Sequence, residues 1–286
     1  MAWCSWLVPC IFLGCVGMFV YTMYVNDCPE TIGSVNCVGF EQLGRFSFQP
    51  LSENVLLGPS SHTLQDLGGL NPKFVVDKDQ TYRLFTYMWL HSGVFHLLAN
   101  MLCLLLTGIQ LEQEFGFLRI GILYFLSGCG GGLLSCLHSR TKDRVTVGAS
   151  GALFGLLGSD FSELITNWTT YSSKCSAFTS LLIVIIVNVC IGIFIPGVDQ
   201  SAHYGGFFTG ILLGFILLMR PQFGYVKGGY IHAGHDMTKK KPKYMLYQHL
   251  LCVIALVAFV LGAVIGVSKL IRGETINLPL PGFSKS

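Results

Sequence analysis

The chain has 286 residues, of which 52% are hydrophobic and 12% are charged, with a net charge of +3 and a mean hydropathy of +0.60. An ordinary soluble domain carries roughly a quarter of charged residues, so the composition excludes that class and indicates an integral membrane protein. Because lipid offers the backbone no hydrogen-bond partner, we expect an all-α helical bundle.

Apolar windows long enough to cross a bilayer predict seven transmembrane helices. The spans are residues 3–25, 94–111, 118–138, 147–166, 177–196, 201–219 and 248–270. The fourth has the weakest signal, because Asp160 and Glu163 lie in it. The first is also compatible with a cleaved signal peptide. However, residues 1–25 contain no Lys or Arg and no small-x-small cleavage site, so we expect the span to be retained.

These spans define six parts of the chain. They are a first transmembrane helix (1–25), a lumenal first loop with an interfacial segment (26–92), a core of helices two to six (93–219), a basic cytosolic loop (220–247), a seventh transmembrane helix (248–270) and a lumenal tail (271–286). The interfacial segment is the apolar patch 84–90, which is too short to cross a bilayer. The basic loop contains four lysines within residues 239–243, which we interpret as an anchor that touches anionic lipid.

Basic residues indicate the orientation. With the amino terminus in the cytosol, eight Lys and Arg fall on the cytosolic side; six fall on the other side once the four in the long first loop are discounted. Cys28 and Cys37 then face an oxidising compartment, where a disulfide between them can form. The glycosylation sequon at Asn167 falls in the cytosol and is expected to stay unmodified.

Four polar residues lie near the beginnings of spans two, four and six, namely His96, Asn100, Ser150 and His203. These three spans run in the same direction, so the four residues are expected on one face of the membrane, here the lumenal one. Asn100 follows His96 by four residues and shares its helix face about one turn deeper. Polar groups at such positions are costly and commonly functional. We expect His91, in contrast, to be a structural residue at the water boundary.

This set of residue types is typical of a serine hydrolase. A serine hydroxyl is a weak nucleophile, and an imidazole must take its proton during attack, so we assign these roles to Ser150 and His203. The backbone N–H of Ser150 and the side chains of His96 and Asn100 are candidates to hold the oxyanion. No acidic residue stands where a third triad member is needed. Asp199 is expected to cap span six, so a Ser–His dyad is the simpler hypothesis.

Small residues predict how the serine and the histidine meet. Span six carries a small residue at every fourth position, Ala202, Gly206, Gly210 and Gly214. Gly151 and Gly155 form a matching notch on span four, and packing through these residues presses His203 against Ser150. Gly148 leaves room for a substrate backbone.

In their order and spacing, these residues resemble the rhomboid family of intramembrane serine proteases. The matching motifs are Tyr82-Arg83, His91-x4-His96-x3-Asn100, Glu112-x3-Gly116-x2-Arg119, Gly148-Ala-Ser-Gly151 and Ala202-His-x2-Gly206. The resemblance implies Ser150 as nucleophile, His203 as general base and acid, and His96 and Asn100 in the oxyanion hole. It also implies an aromatic residue, Phe154, beside the catalytic histidine. The supporting residues that it implies are Arg83, Glu112, Gly148, Gly151 and Gly206.

The resemblance also concerns the whole chain. Six core helices and one more at the carboxyl end are similar to the secretase-type arrangement, and segments 162–168 and 220–224 look like the plant rhomboid-like proteins. This implies an endomembrane location, the Golgi ahead of the plasma membrane. It implies cleavage of single-pass membrane proteins in or near their transmembrane segments. No cofactor, metal or nucleic-acid partner is expected, and the substrate and the oligomeric state stay open.

Two other functions are considered. A rhomboid-like pseudoprotease would bind transmembrane helices for trafficking or quality control without cutting them; such relatives lose the serine or the histidine, and this chain keeps both. A transporter or channel would use the polar residues to carry solute, but the sequence has no internal repeat and no chain of acidic residues through the spans. A lone membrane serine is usually a packing residue, so the hydrolase hypothesis depends on the four residues together.

Overall fold

A computed structural model describes residues 4–139, 144–171, 173–194, 198–221 and 244–276. Among these residues, seven long helices follow the seven predicted spans. They are α1 (Leu7–Asn26), α2 (Val94–Phe115), α3 (Phe117–Ser139), α4 (Ser150–Thr166), α5 (Lys174–Phe194), α6 (Gln200–Leu217) and α7 (Leu246–Ile271). The described residues contain two isolated β-bridges and no strand. The predicted all-α membrane fold is confirmed.

Four of the seven helices are long and apolar enough to cross a membrane by themselves. These are α1 with the turn after it, α2, α3 and α7. α4 has 17 residues and α6 has 18, about 25–27 Å of helix against roughly 30 Å of hydrocarbon. α5 has only a shorter apolar stretch, Lys174–Val187. α4 begins at Ser150, three residues after the start of its predicted span, whereas α6 begins at Gln200 and ends at Leu217, two residues before the end of its predicted span.

The bundle is organised around α3, α4 and α6, which pack against one another, while α7 lies against α6 and α3. α1 lies against a π-helical segment of α2, Leu104–Gly108. The first turn of α1 is capped by Glu112, a residue of α2. Both carboxylate oxygens of Glu112 accept hydrogen bonds from the backbone N–H groups of residues 6–8, at 2.8–2.9 Å, and one of them also accepts from the Ser5 hydroxyl. Glu112 therefore satisfies backbone donors at the beginning of α1 that have no partner within the helix.

The first loop folds into short helices instead of lying as an open chain. They are Cys28–Ile32, Phe40–Leu43, Ser61–Asp66, Pro72–Asp77 and Arg83–Thr86. Cys28 and Cys37 form a disulfide. The side-chain Oδ1 of the buried Asn26 accepts hydrogen bonds from three parts of the loop, at Gln49, Ser60 and Thr63. This loop is therefore fixed to the end of α1 at several points.

Three of the seven residues of the apolar patch 84–90 are buried in the protein, whereas Phe85 is 43% exposed, and the interfacial position of the segment stays a prediction. Tyr87, Met88 and Leu90 are each at most 1% exposed. The Tyr87 hydroxyl donates to the carbonyl of Gly128 in α3 at 2.8 Å. The buried residues of the patch therefore belong to the protein core, beside the helices that carry the candidate site. The lysines of the predicted basic loop, at 239–243, and the end of the predicted tail, at 277–286, lie outside the described residues.

Candidate active site

Ser150 and His203 meet at the beginnings of two parallel helices. Ser150 is the first residue of α4, and His203 lies in the first turn of α6. The Ser150 Oγ and the His203 Nε2 are 2.9 Å apart, a hydrogen-bond distance. His203 is only 9% exposed. This pairing has the geometry that a nucleophile and its general base require.

The two helices approach this closely because their contact is lined with glycine. A Cβ added to Gly206 would lie 1.9 Å from the Gly151 carbonyl oxygen, and one added to Gly210 would lie 2.0 Å from that of Gly155. Neither distance leaves room for a side chain. The glycine seam, as we call these four residues, sets the spacing of α4 and α6 and hence the distance between Ser150 and His203.

Phe154 covers one face of the His203 ring. The two ring centroids are 4.2 Å apart and the ring planes differ by 14°, a stacked arrangement. Phe154 is one turn after Ser150 on the same helix, so α4 supplies both the hydroxyl and the aromatic surface. Stacking restricts the rotation of the imidazole while its Nε2 faces Ser150. The His203 Nδ1 is buried and has no hydrogen-bond partner among the described residues, so no acidic third member touches the ring there.

His96 and Asn100 of α2 lie beside Gly148, two residues before the serine. A Cβ on Gly148 would lie 2.9 Å from the His96 Nε2 and 3.4 Å from the Asn100 Nδ2. The Asn100 Nδ2 is buried and lacks a hydrogen-bond partner within the described part of the chain. A buried amide donor without a partner is costly, and its position next to Ser150 is where an oxyanion would need it.

The tautomer of His96 follows from its neighbours. The Ser92 backbone N–H, which can only donate, lies 3.5 Å from the His96 Nδ1, and the Ser92 hydroxyl lies 2.8 Å from the same nitrogen. The Nδ1 therefore acts as the acceptor, and the ring proton is assigned to Nε2. That nitrogen faces Gly148 and can serve as a second oxyanion donor.

The segment before Ser150 is held by backbone contacts. Gly148 has φ of +123°, a conformation that strains any residue with a Cβ, and its N–H donates to the Tyr87 carbonyl at 2.9 Å. Thr146 pairs with Leu70 through two backbone hydrogen bonds of 2.9 Å in an antiparallel bridge. The first loop therefore fixes the approach of the chain to the serine.

Two of the predicted supporting residues lie away from the dyad. The buried Arg83 donates to the carbonyls of Gln65 and Gly69 and thus braces the chain just before Leu70. Glu112 lies at the cap of α1 described above. Both act on the scaffold and not on the reacting groups. Among the described residues, no three His, Cys, Asp or Glu side chains are grouped to hold a metal.

His91 is completely buried, so its predicted place at the water boundary is wrong. Its ring packs edge-on against that of His96, with centroids 5.4 Å apart. Burial, followed by the neighbouring His96, lowers the His91 pKa to about 3. The ring is thus neutral at physiological pH and supports the other histidine by packing.

Sequence reasoning missed several residues that support the site. Tyr87 and Ser92 contact it through a carbonyl and a hydroxyl, and Thr146 donates its hydroxyl to Asp199 at 2.7 Å. Ser92 could have been found, because it precedes His96 by four residues at the entry to a helix. For Tyr87 and Thr146 the sequence offers no local signal, since their partners lie in distant parts of the chain.

Comparison with known proteins gives the class of protein. A family model described as the Rhomboid domain matches residues 78–220, half of the chain. RHOMBOID-like protein 5 of Arabidopsis thaliana is 51% identical over 99% of this chain and 90% of its own length, and RHOMBOID-like protein 1 of the same plant is 49% identical over 96% of this chain and 69% of its own length.

The chain therefore belongs to the rhomboid family. Not every similar protein carries a name that implies activity. Inactive RHOMBOID-like protein 8 of Arabidopsis thaliana is 45% identical over 76% of this chain and 61% of its own length. Membership alone thus gives the fold of an intramembrane protease and leaves catalysis to be argued from the residues.

Proposed function

We propose that this protein is an active intramembrane serine endopeptidase. Ser150 is the nucleophile, and His203 is the general base and acid of a Ser–His dyad. The observation that carries the proposal is the 2.9 Å hydrogen bond between the Ser150 Oγ and the His203 Nε2. A protein that had lost catalysis would have no need to keep this pair, stacked under Phe154, at the one point where α4 and α6 begin together.

The reaction follows from the positions of these groups. The His203 Nε2 takes the Ser150 proton as the oxygen attacks the scissile carbonyl, and it then returns the proton to the leaving amine. A water molecule then attacks the acyl-enzyme, with the same proton transfers through His203. The developing oxyanion is held by the Ser150 backbone N–H, the Asn100 amide and the His96 Nε2–H. Supporting this assignment, the Asn100 Nδ2 is buried and unpaired among the described residues.

The substrates that we propose are single-pass membrane proteins, cut in or near their transmembrane segments. An intact helix hides its carbonyls in its own hydrogen bonds, so a substrate must unwind locally before Ser150 can attack. We place the enzyme in the endomembrane system, most specifically the Golgi, with the amino terminus in the cytosol and the site opening to the lumen. The disulfide between Cys28 and Cys37 supports an oxidising compartment on the side of the first loop.

Cleavage of a type I single-pass reporter with a weakened lumenal helix end, in liposomes, tests the proposal. Wild type is compared with Ser150→Ala and His203→Ala, and we expect product from wild type alone. Ser159→Ala is the matched control, because the hydroxyl of this buried serine of α4 donates within its own helix, to the Leu156 carbonyl at 2.7 Å, and has no other partner among the described residues. It should cleave like wild type.

The same experiment separates the alternatives. Product that survives Ser150→Ala contradicts the assigned nucleophile. If wild type gives no product on reporters that an active rhomboid cuts, but retains the reporter in a pull-down, the protein is a helix-binding pseudoprotease.

A further inference from the structure

The carboxylate of Asp199, just before α6, accepts four hydrogen bonds. Its Oδ1 caps the helix by accepting from the backbone N–H groups of Ser201 at 3.0 Å and Ala202 at 3.2 Å. Its Oδ2 accepts from the hydroxyls of Ser135 and Thr146. A helix cap needs only the first oxygen. The second oxygen is therefore not needed for the cap, and its two donors come from two other parts of the molecule.

Those two donors join the helix of the histidine to the chain that carries the serine. Ser135 is 1% exposed and belongs to α3, the helix behind the dyad. Thr146 precedes Ser150 by four residues and is held from the other side by its backbone pairing with Leu70. The path from His203 to Ser150 thus runs through one carboxylate, with three residues between Asp199 and the histidine and three between Thr146 and the serine.

Asp199 does not act on the imidazole by contact. The His203 Nδ1, where the acid of a catalytic triad would sit, has no hydrogen-bond partner among the described residues. The described link between Asp199 and the ring is the backbone of α6, where the His203 N–H donates to the Asp199 carbonyl at 3.3 Å. The effect proposed below comes through the position of α6 relative to the serine segment.

We propose that Asp199 is a positioning residue that sets the register between the two halves of the dyad, through its bonds to Thr146 and Ser135. This inference rests on the proposed protease function. A hydrogen bond to a charged group is stronger than one between neutral groups, and a misplacement of about 1 Å can lower the rate about a hundredfold. The carboxylate thus replaces the third triad member in holding geometry, without touching the ring.

Thr146→Val tests the proposal because valine keeps the shape of threonine and removes only the hydroxyl. We expect kcat to fall about tenfold or more with little change in KM. Thr146→Ser restores the hydroxyl and is expected to stay within about twofold of wild type. Thr22→Val is the matched control: Thr22 is also fully buried and its hydroxyl donates to a carbonyl at 2.7 Å, but it lies in α1. It should retain wild-type kcat.

A second variant and a second readout keep the test decisive. Ser135→Ala removes the other donor to the same oxygen. Because both hydroxyls act through one carboxylate, the double variant should lose less than the product of the single losses. The rate at which a fluorophosphonate labels Ser150 reports dyad alignment without a protein substrate, and it should fall in parallel with kcat.

The outcomes are distinct. Wild-type kcat in both Thr146→Val and Ser135→Ala, or a change confined to KM, overturns the positioning role and leaves the protease function intact. Loss of kcat in Thr146→Ser equal to that in Thr146→Val also overturns it, because the hydroxyl is then irrelevant. A wild-type protein that neither cleaves nor labels overturns the protease function, and the positioning role with it.

Discussion

Gly210→Ala is the most direct test of the glycine seam. A Cβ at this position would lie 2.0 Å from the Gly155 carbonyl oxygen and 2.6 Å from two further backbone atoms of Gly155, whereas ordinary contact begins at 3.4 Å. Backbone cannot rotate away as a side chain can. The helices α4 and α6 must therefore separate locally by about 1.4 Å, the difference between the two distances.

That separation should reach the dyad. If Ser150 and His203 move apart by about half of this amount or more, their 2.9 Å separation grows to about 3.6 Å and the hydrogen bond is lost. A misplacement near 1 Å costs about a hundredfold in rate, and overpacking of a tight interface costs about 1–3 kcal/mol of stability. We expect kcat to fall about a hundredfold and the unfolding temperature in detergent to decrease.

Gly262→Ala in α7 is the matched control, since a Cβ built there has no atom of another described segment within 4 Å. This substitution adds the same methyl group to a membrane helix and should leave both cleavage and unfolding temperature at or slightly above those of wild type. The measurement is reporter cleavage together with thermal unfolding of both variants. Wild-type turnover by Gly210→Ala would refute the reasoning, because the spacing of α4 and α6 would then not depend on the seam.

Three further changes probe the scaffold. Glu112→Gln places an amide against the N–H donors that begin α1, so the free energy of unfolding should fall by about 1.5–3 kcal/mol, measured by thermal unfolding; an unchanged value would contradict the capping role. Gln248→Met removes the amide that donates to the carbonyls of Thr166 and Arg220, and the loss of these two hydrogen bonds should lower the free energy of unfolding by about 1–3 kcal/mol, while kcat changes by less than twofold. The pKa of His91 is about 3 in the folded protein but about 6.5 when the chain is unfolded. Because only the unfolded state binds this proton between these values, the free energy of unfolding should fall as the pH decreases below about 6.5, by at most about 1.4 kcal/mol per pH unit from this residue. His91→Gln should flatten that decrease between pH 7 and 4, and an identical slope would show that the buried ring does not titrate on unfolding.

The parts of the site that follow local rules could be predicted from the sequence. Hydropathy and the alternation of spans were enough to expect His96, Ser150 and His203 at the beginnings of helices that run the same way. In the structure α4 begins at Ser150, and α6 places His203 in its first turn. The spacing of small residues by four likewise anticipates a close contact, because it repeats at nearly the period of the helix.

The other contacts of the fold and of the site join residues that are far apart in the chain, and such pairs produce no periodic pattern in the sequence. Glu112 caps a helix that begins more than 100 residues earlier, and Leu70 pairs with Thr146 across two loops. Asn167 shows how a local motif can mislead. It begins a glycosylation sequon, yet its side chain is fully buried and bonds to Glu163, to the Leu218 carbonyl and to the Arg220 N–H. Its function is to join the far ends of α4 and α6.

The beginnings of α4 and α6 differ in a way that bears on catalysis. Every helix begins with backbone N–H groups that lack a partner within the helix, and inside a membrane such groups are expensive to leave unpaired. At α6 the Asp199 side chain accepts from two of them. At α4 the preceding residue is Ala149, and no side chain of the described residues caps the helix. The uncapped donors lie beside Ser150, the Asn100 amide and the His96 ring, where the helix end also favours negative charge. A chain that caps the histidine helix and leaves the serine helix open has kept its free donors where an oxyanion would form.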